Sequence, residues 1–345
     1  MARFDFALNN LLPEKLHMTL NRIGRRCAVL SLLALAVACQ ASAEENWPAR
    51  PLKLVVHTTP GSSSDETARL LAAALSKTLG QAITVDNRAG AGGAIGAEFA
   101  AKSAPDGYTL LAGASSVMVT GPALTTRKLP YDPDQDFVPI GRVSLVPYLL
   151  VVNANSNVRT VGDLVDKARA APGKVSYATA GVGTNNHLLG ELMNTAYGIN
   201  LMHVPYKGPA PAQTDLLGGV VDMQFDTQST TMEFIKAGKL RALATSGPTR
   251  PPGLPNVPTF AELGFPQMQL QGWNALYAPR ATPAPVVKRL QDALRTVQAS
   301  PEMQARLVSM GQVPDNLIGN ALLEEQRKGR EALRKFAVSK NIALD

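Results

Sequence analysis

Cysteine is nearly missing: the chain of 345 residues holds two, Cys27 and Cys39. Both precede residue 44, so a chain starting at Glu44 has neither a disulfide nor a thiol nucleophile. Aromatic residues make up 5% of the sequence and no basic cluster is interleaved with them, which excludes the usual footprint of a nucleic-acid binder. Beyond residue 43 the histidines are His57, His187 and His203, without metal-ligand spacing, so neither a metal nor a cofactor is expected. Long apolar runs are missing too: none approaches the roughly 20 residues that span a bilayer. The formal charge of +7 is weaker than it looks. Of 34 basic and 27 acidic side chains, five and two lie in residues 1 to 43, leaving 29 against 25.

What is present begins with an export pattern. From Met18 the chain reads "MTLNRIGRR", "CAVLSLLALAVAC" and "QASAEE": a basic segment, a thirteen-residue apolar stretch and a small-x-small site ending at Ala43. This predicts a Sec-type signal starting at Met18 and cleaved after Ala43. The alternative is a lipoprotein signal ending at Cys39, though Ala36 stands where such signals carry Leu.

The remainder alternates. "LKLVV", a helix from about 64 to 79, "AITVDN", a helix from about 93 to 103 and "TLLAGA" form one α/β unit; "VSYATA", "LMHVPY", "VDMQFD" and "RALATSG", with helices between, form a second. Such alternation predicts parallel sheets buried on both faces. Helices beginning near Pro283 lack strands of their own and are expected to return to the first unit, with an apolar stripe at Leu333, Phe336 and Ala337. Apolar segments near 143 to 154 and 268 to 280 read as two crossings. The predicted fold class is α/β: two lobes, 46–146 plus 271–345 and 147–270, joined by a two-segment hinge with a ligand cleft between them.

Three turns at strand ends carry the chemistry. In "HTTPGSSSDETAR", Ser63 and Glu66 have capping-box spacing, and Gly61 lets backbone N–H groups and the hydroxyls of Thr58, Ser62, Ser63 and Ser64 face an anion. Asp65 and Glu66 in the first helical turn disfavour a phosphate dianion and suit a carboxylate. In "ATAGVGTNNHLLGEL", Ala180, Gly181 and Gly183 open the backbone, Thr184 or Asn185 caps the next helix, and His187 lies in its first turn as a ligand contact or a capping residue. In "FDTQSTTMEF", Asp226 either caps a helix or receives an ammonium or hydroxyl of the ligand. Trp273 stacks on a ligand or is buried between the lobes, and His203 reads as a packed core residue.

Other chemistries fit poorly. In "NRAGAGGAIGAEFA" the dinucleotide pattern from Gly90 needs glycine at 95, where Ile95 stands, so these glycines read as a tight turn and close helix packing. No G-x-S-x-G or S-x-x-K motif occurs among the loop serines, and His57 lacks an orienting third group, so a serine hydrolase is only a remote alternative and no catalytic residue is assigned.

Taken with "WPARPLKLVV", "LPYDPDQDFVPI", "HVPYKGPAPAQTDLLGGVVDMQFD", "IKAGKLRALA" and "LPNVPTFAELG", these turns resemble the Bug family, the substrate-binding receptors of tripartite tricarboxylate transporters, over nearly the whole chain after the signal. The resemblance implies a periplasmic-binding-protein fold of type II-like form and binding without catalysis. It also implies a monomeric receptor for a small carboxylate-bearing ligand, a di- or tricarboxylate, amino acid or aromatic acid. It implies membrane permease subunits as partners, or a sensor kinase of a two-component system. The first turn departs from the family's P-F-x-P-G-G-x-x-D: His57 replaces Pro, Thr58 the aromatic and Ser62 the second Gly, which implies a more polar or larger ligand.

Overall fold

The computed structural model describes residues 47 to 340. The signal segment and its cleavage site lie outside the described residues. The elements below belong to one compact unit, Arg50–Asp345.

Strand β1 (Leu52–Val56) leads to α1 (Ser63–Leu79), β2 (Ile83–Asn87), α2 (Ala94–Ala101) and β3 (Thr109–Ala114). A π-helical turn, Ser116–Thr120, runs into the short α3 (Gly121–Leu124), and β4 (Phe137–Asn153) follows. The second unit comprises α4 (Val161–Ala170), β5 (Ser176–Thr179), α5 (Asn185–Tyr197), β6 (Met202–Pro205), α6 (Pro209–Leu217), β7 (Met223–Thr227), α7 (Gln228–Lys236) and β8 (Leu240–Thr245). The chain then returns through β9 (Gln271–Pro279), α8 (Ala284–Gln298), α9 (Pro301–Ser309), β10 (Val313–Pro314) and α10 (Asn320–Lys340).

Among the described residues these strands make one sheet path, β2-β1-β3-β9-β4-β7-β5-β6, with β8 and β10 also on β4. The expectation of parallel sheets holds for β2-β1-β3 and for β6-β5-β7. It fails in the middle, where β9 runs antiparallel to β3 and β4, and β4 antiparallel to β7 and β8. The physical reason is the return crossing: a strand coming back from the second unit enters the first sheet in the opposite sense. The final helices are also not wholly without strands, since β10 pairs with Leu145 and Ser144 of β4.

β4 organises the molecule. Its first part, Phe137 to Pro147, pairs with β9; its second, Tyr148 to Val152, pairs with β7. Side chains alternate across a strand, so Leu150 and Val152 enter one core with Leu188, Phe225 and Phe260, while Leu149 and Val151 enter another with Ala212 and Leu216. A third core holds Val55, Leu111, Met118, Phe137 and Tyr277, with the Phe137 and Tyr277 rings edge to face at 6.1 Å. α10 joins two of these cores: Leu322 packs in the third, whereas Leu333, Phe336 and Ala337 pack in the first. The last helix therefore covers more than the first unit alone.

Helix α1 forms because Ala68, Leu71, Ala72, Leu75 and Leu79 put one apolar stripe on the sheet, and it stops at Gly80 in the left-handed region at φ 72°. Its start positions the site.

Candidate functional site

The N-terminus of α1 is capped by Ser62, whose Oγ accepts from the Asp65 N–H at 3.2 Å. The cap thus sits one residue before the expected Ser63, because three consecutive serines offer equivalent hydroxyls and the strand exit decides which stays non-helical. Asp65 turns back beneath the loop. Its Oδ2 accepts from Gly61 N–H at 2.9 Å and Arg69 Nε at 2.9 Å, and its Oδ1 from Asn87 Nδ2 at 2.8 Å. These bonds hold its carboxyl below the ordinary range despite burial. Thr58 and Ser62 share a hydrogen bond of 2.6 Å; Ser63 Oγ accepts from Gln312 Nε2 at 3.1 Å, and Ser64 Oγ donates to Asn274 Oδ1 at 3.0 Å.

The N-terminus of α5 is built otherwise. Thr184 is the cap residue, yet its side chain caps nothing: the hydroxyl donates back to Gly181 O at 2.7 Å. Gly181 and Gly183 have φ of 129° and 78°, open only to glycine at low cost. The side chain of Asn185, 2% exposed, reaches across to the other unit. Its Oδ1 accepts from Thr120 Oγ1 at 2.5 Å, and its Nδ2 donates to Ser115 Oγ at 2.7 Å and to Tyr148 Oη at 3.0 Å.

Both helix starts face one cavity, in which the centres of water molecules can reach about 80 Å³. Since about 10–15 Å³ of such space holds one water, the cavity takes a handful of waters or one small organic acid. The first N–H groups of a helix lack partners within it and carry the positive end of its dipole, so the walls favour an anion. Of the residues expected from sequence, Thr58, Ser62, Ser63, Ser64, Ala180, Thr184 and Asp226 line the cavity; Gly61, Gly181, Gly183 and His187 do not.

His187 is directed behind the turn. Its ring stacks on His203 at 3.8 Å, which stacks in turn on Tyr177 at 5.0 Å, and its Nδ1 accepts from Gly183 N–H at 3.4 Å. Burial pushes both imidazoles down to about 4. His57 lies beneath the first turn, its Nδ1 3.0 Å from Ala112 O, and is likewise pushed down to about 4 by burial. Among the described residues no serine hydroxyl bonds to a histidine, and no group of three His, Cys, Asp or Glu side chains could hold a metal ion.

Asp226 is a wall residue and not a helix cap. It lies one residue before the end of β7, Thr227 is the cap of α7, and the Asp226 Oδ1 and Oδ2 accept from Thr227 N–H at 2.7 Å and Gln224 Nε2 at 3.0 Å. Burial raises its carboxyl to about 7.

Sequence reasoning missed Asn185 as a bridge, and Tyr148, Asn274 and Lys207 as lining. It also placed Gly90, Gly92 and Gly93 only as packing residues, whereas they line the cavity. The packing role is visible as well: a Cβ on Gly96 would fall 2.8 Å from the Cα of His57, and one on Gly92 would fall 2.5 Å from Val182 O. The second of these contacts brings the glycine loop of one unit against the turn of the other. Trp273 is buried and lines the cavity together with Val146.

Comparison with known proteins agrees with this geometry. Residues 67–324 match the model of the tripartite tricarboxylate transporter family receptor. Protein BugT of Bordetella pertussis is 37% identical over 291 residues, covering 84% of this chain and 89% of its own. A protein of R. palustris solved with adipate superposes with a TM-score of 0.83 at 34% identity, covering 86% of this chain and 99% of its own. MatC of Rhodopseudomonas palustris, solved with bound malate, gives 0.79 at 30% identity over 84% of this chain and 99% of its own. With a two-lobed α/β frame, paired helix starts at one small cavity and a family match across most of its length, the chain belongs to the tripartite tricarboxylate transporter receptors, the Bug family of periplasmic solute-binding proteins.

Proposed function

We propose that this protein captures a small carboxylate in the periplasm and delivers it to the membrane subunits of a tripartite tricarboxylate-type transporter, without chemical turnover. The observation that carries the reading is the convergence of the α1 and α5 helix starts on one cavity. Hydrogen bonds to a charged group contribute about 1.5 to 3 kcal/mol each, so a few of them suffice for micromolar binding after ordering costs. The adipate and malate held by relatives support a carboxylate as the ligand.

The lobes are 46–146 with 271–345, and 147–270. The change of partners along β4 between Pro147 and Tyr148 supports that boundary. Export by the signal ending at Ala43 supports a periplasmic location, and no helix among the described residues is long and apolar enough to cross a membrane. Binding residues are Thr58, Ser62, Ser63, Ser64, Ala180 and Thr184, with Gly61, Gly181 and Gly183 shaping the turns and His187 backing the second.

A thermal-shift screen of residues 44 to 345 tests the reading. Malate, adipate, citrate, amino acids and aromatic acids are compared with inorganic phosphate and nucleotides. A ligand at 100 times its Kd stabilises by about 2.7 kcal/mol. Shifts with carboxylates alone are expected; shifts with phosphates alone overturn the assignment of both turns.

A further inference from the structure

One wall of the cavity has a sign opposite to the rest. Asp226 lines it with 3% of its surface exposed, and no Lys, Arg or His forms an ion pair with it among the described residues. Its hydrogen-bond partners, Thr227 N–H, Gln224 Nε2 and the Thr230 hydroxyl, are all neutral. The titratable groups facing it from neighbouring elements are Glu66 on α1 and Tyr148 on β4; Glu66 has the same sign and Tyr148 stays neutral, being pushed up to about 12. Gln224 Oε1, beside it, is buried without a partner. Lys207 reaches the same cavity from an exposed position and forms no ion pair with Asp226.

A buried carboxylate needs a counter-charge or a proton. The protein supplies no counter-charge here, while the cavity supplies access for one. The opposite pole of the same cavity is made of helix N-termini, which attract a carboxylate. A molecule that satisfies both poles carries a carboxylate and a cation a few bonds apart.

We propose that Asp226 is the counter-ion of a protonated amine on the ligand, which makes the ligand an aminocarboxylate and not a plain di- or tricarboxylate. This rests on the carboxylate reading above and narrows it. A proton follows from it. With its carboxyl raised by burial, Asp226 holds a proton in part of the empty molecules near neutral pH. An incoming ammonium ion favours the ionised carboxylate, so binding expels that proton. Below pH 7 more proton must be displaced, and affinity falls.

The test uses matched acids differing at one substituent: succinate, malate and aspartate, and glutarate, 2-hydroxyglutarate and glutamate, with alanine for a single carboxylate. Affinities are measured by isothermal titration at pH 7 in two buffers of different ionisation enthalpy, with wild type and Asp226→Asn. The amine member of at least one set is expected to bind at least tenfold tighter than its hydroxy and plain counterparts, with proton release in wild type that is absent in Asp226→Asn. The preference is expected to collapse in the variant, whose melting temperature at pH 7 shows that it is folded. Equal or tighter binding of the hydroxy or plain acid overturns the amine assignment while leaving a carboxylate receptor. Failure of every acid to bind overturns both.

Discussion

The turn that opens α1 is held by its own surroundings: Ser62 caps the helix, and Asp65 ties Gly61, Arg69 and Asn87 into one knot. The turn that opens α5 has no side-chain cap, its threonine hydroxyl is spent on Gly181 O, and its firmest tether, Asn185, is fastened to Ser115, Thr120 and Tyr148 on other elements. Two helix starts that present the same kind of N–H groups therefore differ in what preorganises them. The first is complete in itself. The second is completed by side chains of other elements, so its order is expected to depend on the approach of the two units.

Acid is the widest probe of that contrast. The folded values of His57, His187 and His203 are lowered to about 4, so the unfolded chain binds more protons between pH 6.5 and 4, and stability falls as pH drops through that window. His57 and His187 each contribute a loss on the order of 2 kcal/mol at pH 5, and the more exposed His203 contributes less. Asp226, raised to about 7, runs the other way, so urea melts at pH 7 and pH 5 belong in the Asp226→Asn background. Near pH 4 the amide resonance of Gly183 is expected to shift as protonated His187 Nδ1 ceases to accept. That of Gly61 should stay, because its acceptor Asp65 remains ionised. Shifts of equal size would remove the distinction between the turns.

Asp65→Ala comes next. It removes the charged acceptor of the exposed Gly61 N–H and the half-buried Asn87 amide and is expected to cost about 1.5–2 kcal/mol in urea unfolding, with the half-exposed Arg69 contact adding little. Asn185→Ala should do the reverse in kind: unfolding changes modestly, but ligand affinity falls about tenfold, the equivalent of about 1.4 kcal/mol, as the empty protein opens. Small-angle scattering of the ligand-free variant checks this, since an unchanged radius of gyration would mean that the residue tethers only its own turn. Ser62→Ala is the smallest, about 1 kcal/mol in thermal unfolding for the lost cap, with Thr184→Ala costing less because no helix N–H loses its acceptor.

Much of this architecture was legible in the residues, for reasons that are local. Strand and helix periods identified the elements, and the apolar run "LVPYLLVVNA" identified the crossing strand because a strand buried on both faces needs no polar alternation. The antiparallel insertion of β9 between β3 and β4 was not legible, since pairing order depends on contacts far apart in sequence. The cap moved from Ser63 to Ser62 because equivalent hydroxyls adjoin one another. Asp226 read equally as cap or wall, and only the ending of β7 one residue later separates the two. Asn185 read as a cap because its partners lie 37, 65 and 70 residues away.

The double membership of β4 bears on inheritance. A recombination that exchanged residues 147 to 270 between two such proteins would cut inside a strand whose two parts pair with different partners, at Pro147 and Tyr148, and would have to reproduce both registers at once. A recombination confined to residues 57 to 62 or 180 to 184 would cut only turns and leave every strand of the crossing intact. Exchanging a turn is accordingly the less disruptive route to a new ligand preference in this architecture, whereas exchanging half of the molecule must rebuild β4.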